Sequence, residues 1–244
     1  FMGDPYRGDQ AANIRKLDLL FVPLLKQLNI SHSSYISDVN KITKIQDWID
    51  IWKASLHNED NIILKKLDLN DSLVIGFEIP EREYLYLSTK NIPWINISIH
   101  PIRFLDDLYL DISTSFKIDL RQHIASIGLI DMFVQALRVR YNSDGIQNER
   151  NTLGIFGQTT IDKSIFFDGS FKKLDNYLYE IDQLANTHDQ TLYKPHPHLS
   201  DPDIDDLIIN RYNAELISDT DTYELLANGK LTTACGISSS VLSE

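Results

Sequence analysis

The sequence predicts an α/β fold with parallel sheet, on three observations. Short apolar segments alternate with helical segments through the second half, joined by short loops. The run Ser72-Leu73-Val74-Ile75-Gly76-Phe77 in the first half reads as a buried strand. The residue types that carry chemistry fall at the expected strand exits, where open α/β sheets bind their ligands.

Taken in order, residues 14–28 place Ile14, Leu17, Phe21, Leu24, Leu25 and Leu28 at helical spacing. Residues 39–56 do the same with Ile42, Ile45, Trp48, Ile49, Trp52 and Leu56. The strand over 72–77 lies between Asn70-Asp71 and Glu78-Ile79-Pro80 and leads into a loop. Trp94-Ile95-Asn96-Ile97-Ser98-Ile99 alternates as a strand ending at His100-Pro101. Residues 108–111 read as a further strand and 119–139 as a helix that tolerates Gly128. The polar stretch 142–151 is the best domain boundary and divides the chain into 1–148 and 149–244. Beyond it, strands are expected at 152–157, 190–193, 215–217 and 230–234, with helices at 171–186, 201–210 and 221–227.

The length of 244 residues suits one large domain or two small ones. The net charge of -12 argues against broad nucleic-acid binding, which needs a basic footprint. A single cysteine, Cys235, excludes a disulfide within the chain and points to a reducing, cytoplasmic compartment. No run of about 18 apolar residues predicts a transmembrane helix. Phe1-Met2-Gly3-Asp4 lacks the basic-then-apolar order of a signal peptide and reads as the edge of an internal fragment. Residues 238–244 read as a helix just starting, so the C-terminal domain is expected to be truncated.

Lys194-Pro195-His196-Pro197-His198 follows an expected strand. Its prolines stiffen the loop, which could aim Lys194 and His196 at a phosphate. A turn with exposed polar side chains is the alternative. A metal site is the weaker reading, because His196 and His198 would point to opposite sides of an extended chain. Gly236-Ile237-Ser238-Ser239-Ser240 opens an expected helix, where free N–H groups and hydroxyls make an anion site. A plain N-cap at Ser238 is the alternative. The segment is neither a Walker loop nor a nucleophile elbow. Asp162, after Gly157-Gln158-Thr159-Thr160-Ile161, could be a base, a nucleophile or a hydroxyl anchor, or only a turn aspartate. Glu78 could be an acid/base group or a solvated loop residue. Asp106-Asp107 suits a surface turn better than a metal.

Gly157-Gln158 with Asp162, then Lys194-Pro195-His196-Pro197, then Ser238-Ser239-Ser240 with Glu244, resembles bacterial capsule and lipopolysaccharide glycosyltransferases. The nearest are the retaining β-Kdo transferases that use CMP-β-Kdo; sialyltransferases share the His-Pro and serine motifs. His100-Pro101-Ile102-Arg103-Phe104 is similar to a first-half segment of the capsular members. The resemblance covers about half the chain, in separated islands. It implies a GT-B architecture, two Rossmann-like domains facing a cleft, with an acceptor-side domain at 1–148 and a CMP-sugar domain at 149–244. It implies Gln158, Lys194, His196, Ser238, Ser239, Ser240 and Glu244 as donor-binding residues, the glutamate on the ribose. Asp162 would be the nucleophile of a double displacement and Glu78 the acceptor-side acid/base, with His196 also at the catalytic centre. The implied partners are a CMP-activated nonulosonic acid and a glycan or glycolipid acceptor, with no metal or other cofactor. Peripheral association with membrane-bound glycan assembly machinery at the inner membrane goes with that role. An inverting sialyltransferase-like enzyme, with Asp162 as base, and a non-catalytic nucleotide-binding or assembly module are the alternatives.

Overall fold

The computed structural model describes residues 1–41, 45–57, 62–105, 108–141, 150–160, 162–168, 170–197, 200–239 and 242. The chain divides into two compact units. One comprises Phe1–His100 and Tyr109–His123, the other Pro101–Leu108 and Ile124–Glu244. The boundary expected at 148/149 falls at the edge of residues outside those described, and the helix preceding it groups with the second unit.

The first unit contains β1 (Met2–Gly3), α1 (Gln10–Gln27), α2 (Ile45–His57), β2 (Val74–Phe77), α3 (Glu81–Thr89), β3 (Trp94–Ile99) and β4 (Leu110–Thr114). Its sheet runs β1-β2-β3-β4. The first three strands are parallel and β4 is antiparallel to β3, so this sheet is mixed, not purely parallel as expected. The reason is local: the ten residues 100–109 are too few for the crossover that a parallel partner would need, and their described residues include no helix. Both faces of β2 are covered. Ile75 and Phe77 meet Leu17 of α1, while Val74 packs with Leu64 and Leu87 on the other face. That is why the strand reads as an unbroken apolar run.

Three further elements depart from expectation. The helix expected over 39–56 is a 3-10 turn, Asp38–Lys41, and then α2, with 42–44 outside the described residues. Helix α3 was not expected because one of its two fully buried residues is charged. Glu83 is fully buried and accepts from the Tyr6 hydroxyl at 2.6 Å and from the N–H groups of Ile63 at 3.0 Å and Leu64 at 3.1 Å. A carboxylate on the inner face breaks the apolar period while its three donors make burial tolerable. Burial and the bond to Glu83 push the Tyr6 phenol well above its ordinary value. The strand β1 is too short to carry a pattern; it pairs Met2 with Gly76 and Gly3 with Phe77.

The second unit contains α4 (Ile127–Tyr141), β5 (Thr152–Phe156), the hairpin of β6 (Phe166–Phe167) and β7 (Ser170–Phe171), α5 (Leu178–Ala185), β8 (Gln190–Lys194), α6 (Pro202–Tyr212), β9 (Glu215–Leu216), α7 (Thr222–Ala227) and β10 (Thr233–Cys235). Helix α4 starts later than the expected 119, because Ser126 caps it: its hydroxyl oxygen accepts from Leu129 N–H at 3.1 Å. The four-stranded sheet runs β10-β5-β8-β9, and every pair is parallel. Leu153, Ile155 and Tyr193 meet Leu174, Ile181 and Ile208 in one core. The helix expected at 171–186 is shortened, since Ser170–Phe171 belongs to the hairpin and a 3-10 turn precedes α5. Asp201 caps α6, Pro202 is its first residue, and Asn213 closes it at φ 46°. Among the described residues no helix is long and apolar enough to cross a membrane.

Candidate functional site

Register places the exits of three strands side by side in the second unit. Ile155 of β5 stands opposite Cys235 of β10 and, on its other side, Tyr193 of β8. The segments beginning at Gly157, Pro195 and Gly236 therefore leave the sheet along one carboxyl edge. Such an edge is where a doubly wound sheet presents ligand-binding loops.

The loop after β5 lies against the Lys194-Pro195-His196 backbone. Gly157 N–H donates to the Lys194 carbonyl at 2.8 Å. A Cβ at Gly157 would stand 2.8 Å from the Tyr193 hydroxyl, 3.0 Å from the His196 nitrogen and 3.1 Å from the Pro195 Cα. Only glycine permits that approach. The Tyr193 hydroxyl is itself fixed, donating to Asp205; burial and that bond push its phenol far above the usual range.

Asp162 is held by a short network. Its Oδ1 accepts from the Ser164 backbone N–H at 2.9 Å and the Ser164 hydroxyl at 2.8 Å. Its Oδ2 receives the Gln158 amide at 3.3 Å, a long contact. The Ser164 oxygen also lies 2.7 Å from the Ser238 hydroxyl. Gln158, Asp162 and Ser238, expected from the sequence, are thus brought together through Ser164, which was not expected. The signal for it was the Asp-x-Ser spacing of 162–164, which suits an Asx-turn. Nothing in the sequence pairs Ser164 with a residue 74 positions later.

Lys194 makes different contacts from those expected of a bare phosphate clamp. Its ammonium donates to the Thr220 carbonyl at 2.6 Å and reaches the Ser218 carbonyl at 3.4 Å. It ties the β8 exit to the loop after β9, and among the described residues one N–H direction is left over. His196 is half-buried on the stiff loop at the same edge. Ser239 is half-buried after Ser238, and its carbonyl accepts from Leu242 N–H at 3.0 Å. Ser240, Glu244 and His198 lie outside the described residues, as does most of the helix expected to open at Ser238.

A cavity of about 20 Å³ opens beside this edge, lined by Gln158, Thr159, Thr160, Lys173, Tyr193 and Asp205 among others. It has room for about one water molecule. Lys173 is anchored at its rim by Asp201 at 2.6 Å. Among the described residues no group of three or more histidine, cysteine or acidic side chains is placed to hold a metal.

Glu78 belongs to the first unit, at the carboxyl end of β2. It sits at φ 54°, in the left-handed region. Its N–H donates to Ile97 carbonyl at 2.8 Å, and its carboxylate lies 3.8 Å from the Arg7 guanidinium on the loop leaving β1. Non-glycine residues hold this conformation at a cost, and such outliers concentrate at functional sites. Asp106 and Asp107 are outside the described residues. Compared with family models, curated proteins and solved structures, the chain matches none.

Proposed function

We propose that this chain is the catalytic part of a retaining glycosyltransferase that moves Kdo or a related nonulosonic acid from its CMP ester to a cell-surface polysaccharide or lipopolysaccharide acceptor. The observation that carries the reading is the state of Asp162. Among the described residues one carboxylate oxygen is held by two donors, the other carries a single long contact, and the group stands on the carboxyl edge of a parallel sheet. A carboxylate so fixed suits a nucleophile that must meet an anomeric carbon in one orientation. Its Oδ2 would form a bond to that carbon as the carbon–oxygen bond to phosphate breaks, and CMP leaves with the electron pair. An acceptor hydroxyl then displaces Asp162, and two inversions give net retention.

Two α/β units, each with parallel strands, support a GT-B-like pair of Rossmann-like domains. His196, Ser239 and the remaining Lys194 donor are the groups proposed for the CMP phosphate, with Glu244 on the ribose and Glu78 as acid/base on the acceptor side. No step of this reaction requires a metal. The proposed setting is cytoplasmic, with peripheral attachment to glycan assembly machinery at the inner membrane.

The test is intact-protein mass spectrometry after exposure to CMP-Kdo. The expected result is a mass gain of one sugar that is absent in Asp162→Ala. Full transfer by Asp162→Ala would sink the assignment of Asp162 both as nucleophile and as base. An inverted product would transfer it from nucleophile to base.

A further inference from the structure

We infer that Ser164 is a positioning residue that ties the serine loop after β10 to the Asp162 carboxylate and reserves Oδ2 as the attacking oxygen; this rests on the transferase reading above. The direction of each hydrogen bond follows from the number of protons available. A carboxylate accepts only, so the Ser164 hydroxyl gives its one proton to Oδ1, at 2.8 Å. The contact of 2.7 Å between the two serines must then be Ser238 donating to Ser164. The order is Ser238 O–H to Ser164 O–H to Asp162 Oδ1.

Two consequences follow. Oδ1 already accepts two hydrogen bonds from Ser164. Among the described residues Oδ2 has only the amide of Gln158 at 3.3 Å, so it is the oxygen left with an accessible lone pair. In addition, the Ser238 proton points inward, toward Ser164, and is withheld from a phosphate. A phosphate oxygen at this edge must therefore draw on the Ser239 hydroxyl and backbone N–H groups, or compete with Ser164 for the Ser238 proton. Donor binding and nucleophile orientation are coupled through one hydroxyl.

The coupling predicts a split between rate and affinity. Ser164→Ala removes the hydroxyl donor from Oδ1 and releases the Ser238 proton to the phosphate. Adduct formation from CMP-Kdo, followed by rapid quench and intact mass, is expected to slow by about ten-fold. CMP affinity by calorimetry is expected to stay the same or tighten. Ser164→Thr keeps the hydroxyl and should restore the rate to within about three-fold of wild type. Ser164→Ala at the wild-type rate overturns the tether. So does an equal fall in rate and affinity, the mark of a merely structural role, or a failure of threonine to rescue. A wild-type protein that forms no adduct overturns the transferase reading instead, and with it the role of Oδ2.

Discussion

The backbone N–H of Gly157 donates to the Lys194 carbonyl at 2.8 Å, and a Cβ on Gly157 would lie 3.0 Å from the His196 nitrogen. The β5 exit and the Lys-Pro-His-Pro loop are in contact backbone to backbone. The three atoms that such a Cβ would meet have little freedom to move: the His196 nitrogen and the Pro195 Cα belong to a proline-stiffened main chain, and the third is the Tyr193 hydroxyl held by Asp205. Gly157→Ala should therefore lower stability by about 1–3 kcal/mol, the range of an overpacked interior. Chemical denaturation would show it as a lower midpoint with an unchanged slope. An unchanged midpoint would mean the loops part without cost.

Asp201 serves both a helix start and an ion pair. Its carboxylate caps α6 by accepting from Asp203 N–H at 3.2 Å, and it pairs with Lys173 at 2.6 Å. Asp201→Ala loses both and should cost about 1–2 kcal/mol. Asp201→Asn keeps the cap and should cost less. The hydrogen bond from Lys173 holds the Asp201 carboxyl below its ordinary 3.8. A lowered folded value means stability that is present above 3.8 and lost as pH falls through the folded value. The gap between wild type and Asp201→Asn should thus close in acid, as read by denaturant midpoints from pH 7 down to pH 2.

The sequence patterns predict those elements whose faces are chemically uniform. Strand β2 and the parallel second sheet follow from apolar runs bounded by turn residues, because both of those signals are local. The antiparallel β4 and helix α3 were hidden for opposite reasons. The direction of β4 depends on what the connection from β3 does in space, and the inner face of α3 carries Glu83 where an apolar residue would announce a helix. At the site, Asp162, Gln158 and Ser238 are visible as residue types at strand exits. Their connection through Ser164 is not, because the contact to Ser238 depends on β10 lying next to β5.

Glu78 at φ 54° offers a measure of stored strain. Its N–H is fixed on Ile97, so the backbone cannot relax without breaking that bond. Glu78→Gly and Glu78→Ala both delete the carboxylate, but only glycine fits the left-handed region without penalty. The glycine variant should be more stable than the alanine variant by about 1 kcal/mol. Both should lose any function that depends on the carboxylate. Equal stabilities by thermal melting would show that the position carries no strain.

Cys235 ends β10 one residue before Gly236, beside the proposed donor edge. Burial pushes its thiol up to about 11 from the ordinary 9.0. Two pH units reduce the reactive thiolate by about 100-fold at pH 8, before any effect of access. A chromogenic disulfide reagent should therefore modify the native chain at least about 100-fold more slowly than the denatured chain. The sign for stability follows from the same burial: a raised folded value contributes below 9.0 and is lost as pH rises through 11. Rates within ten-fold of each other would show that the β10 exit opens to water often enough to ionise the thiol. In that case the sheet edge, and the serine loop following it, would lack the rigidity that positioning Asp162 requires.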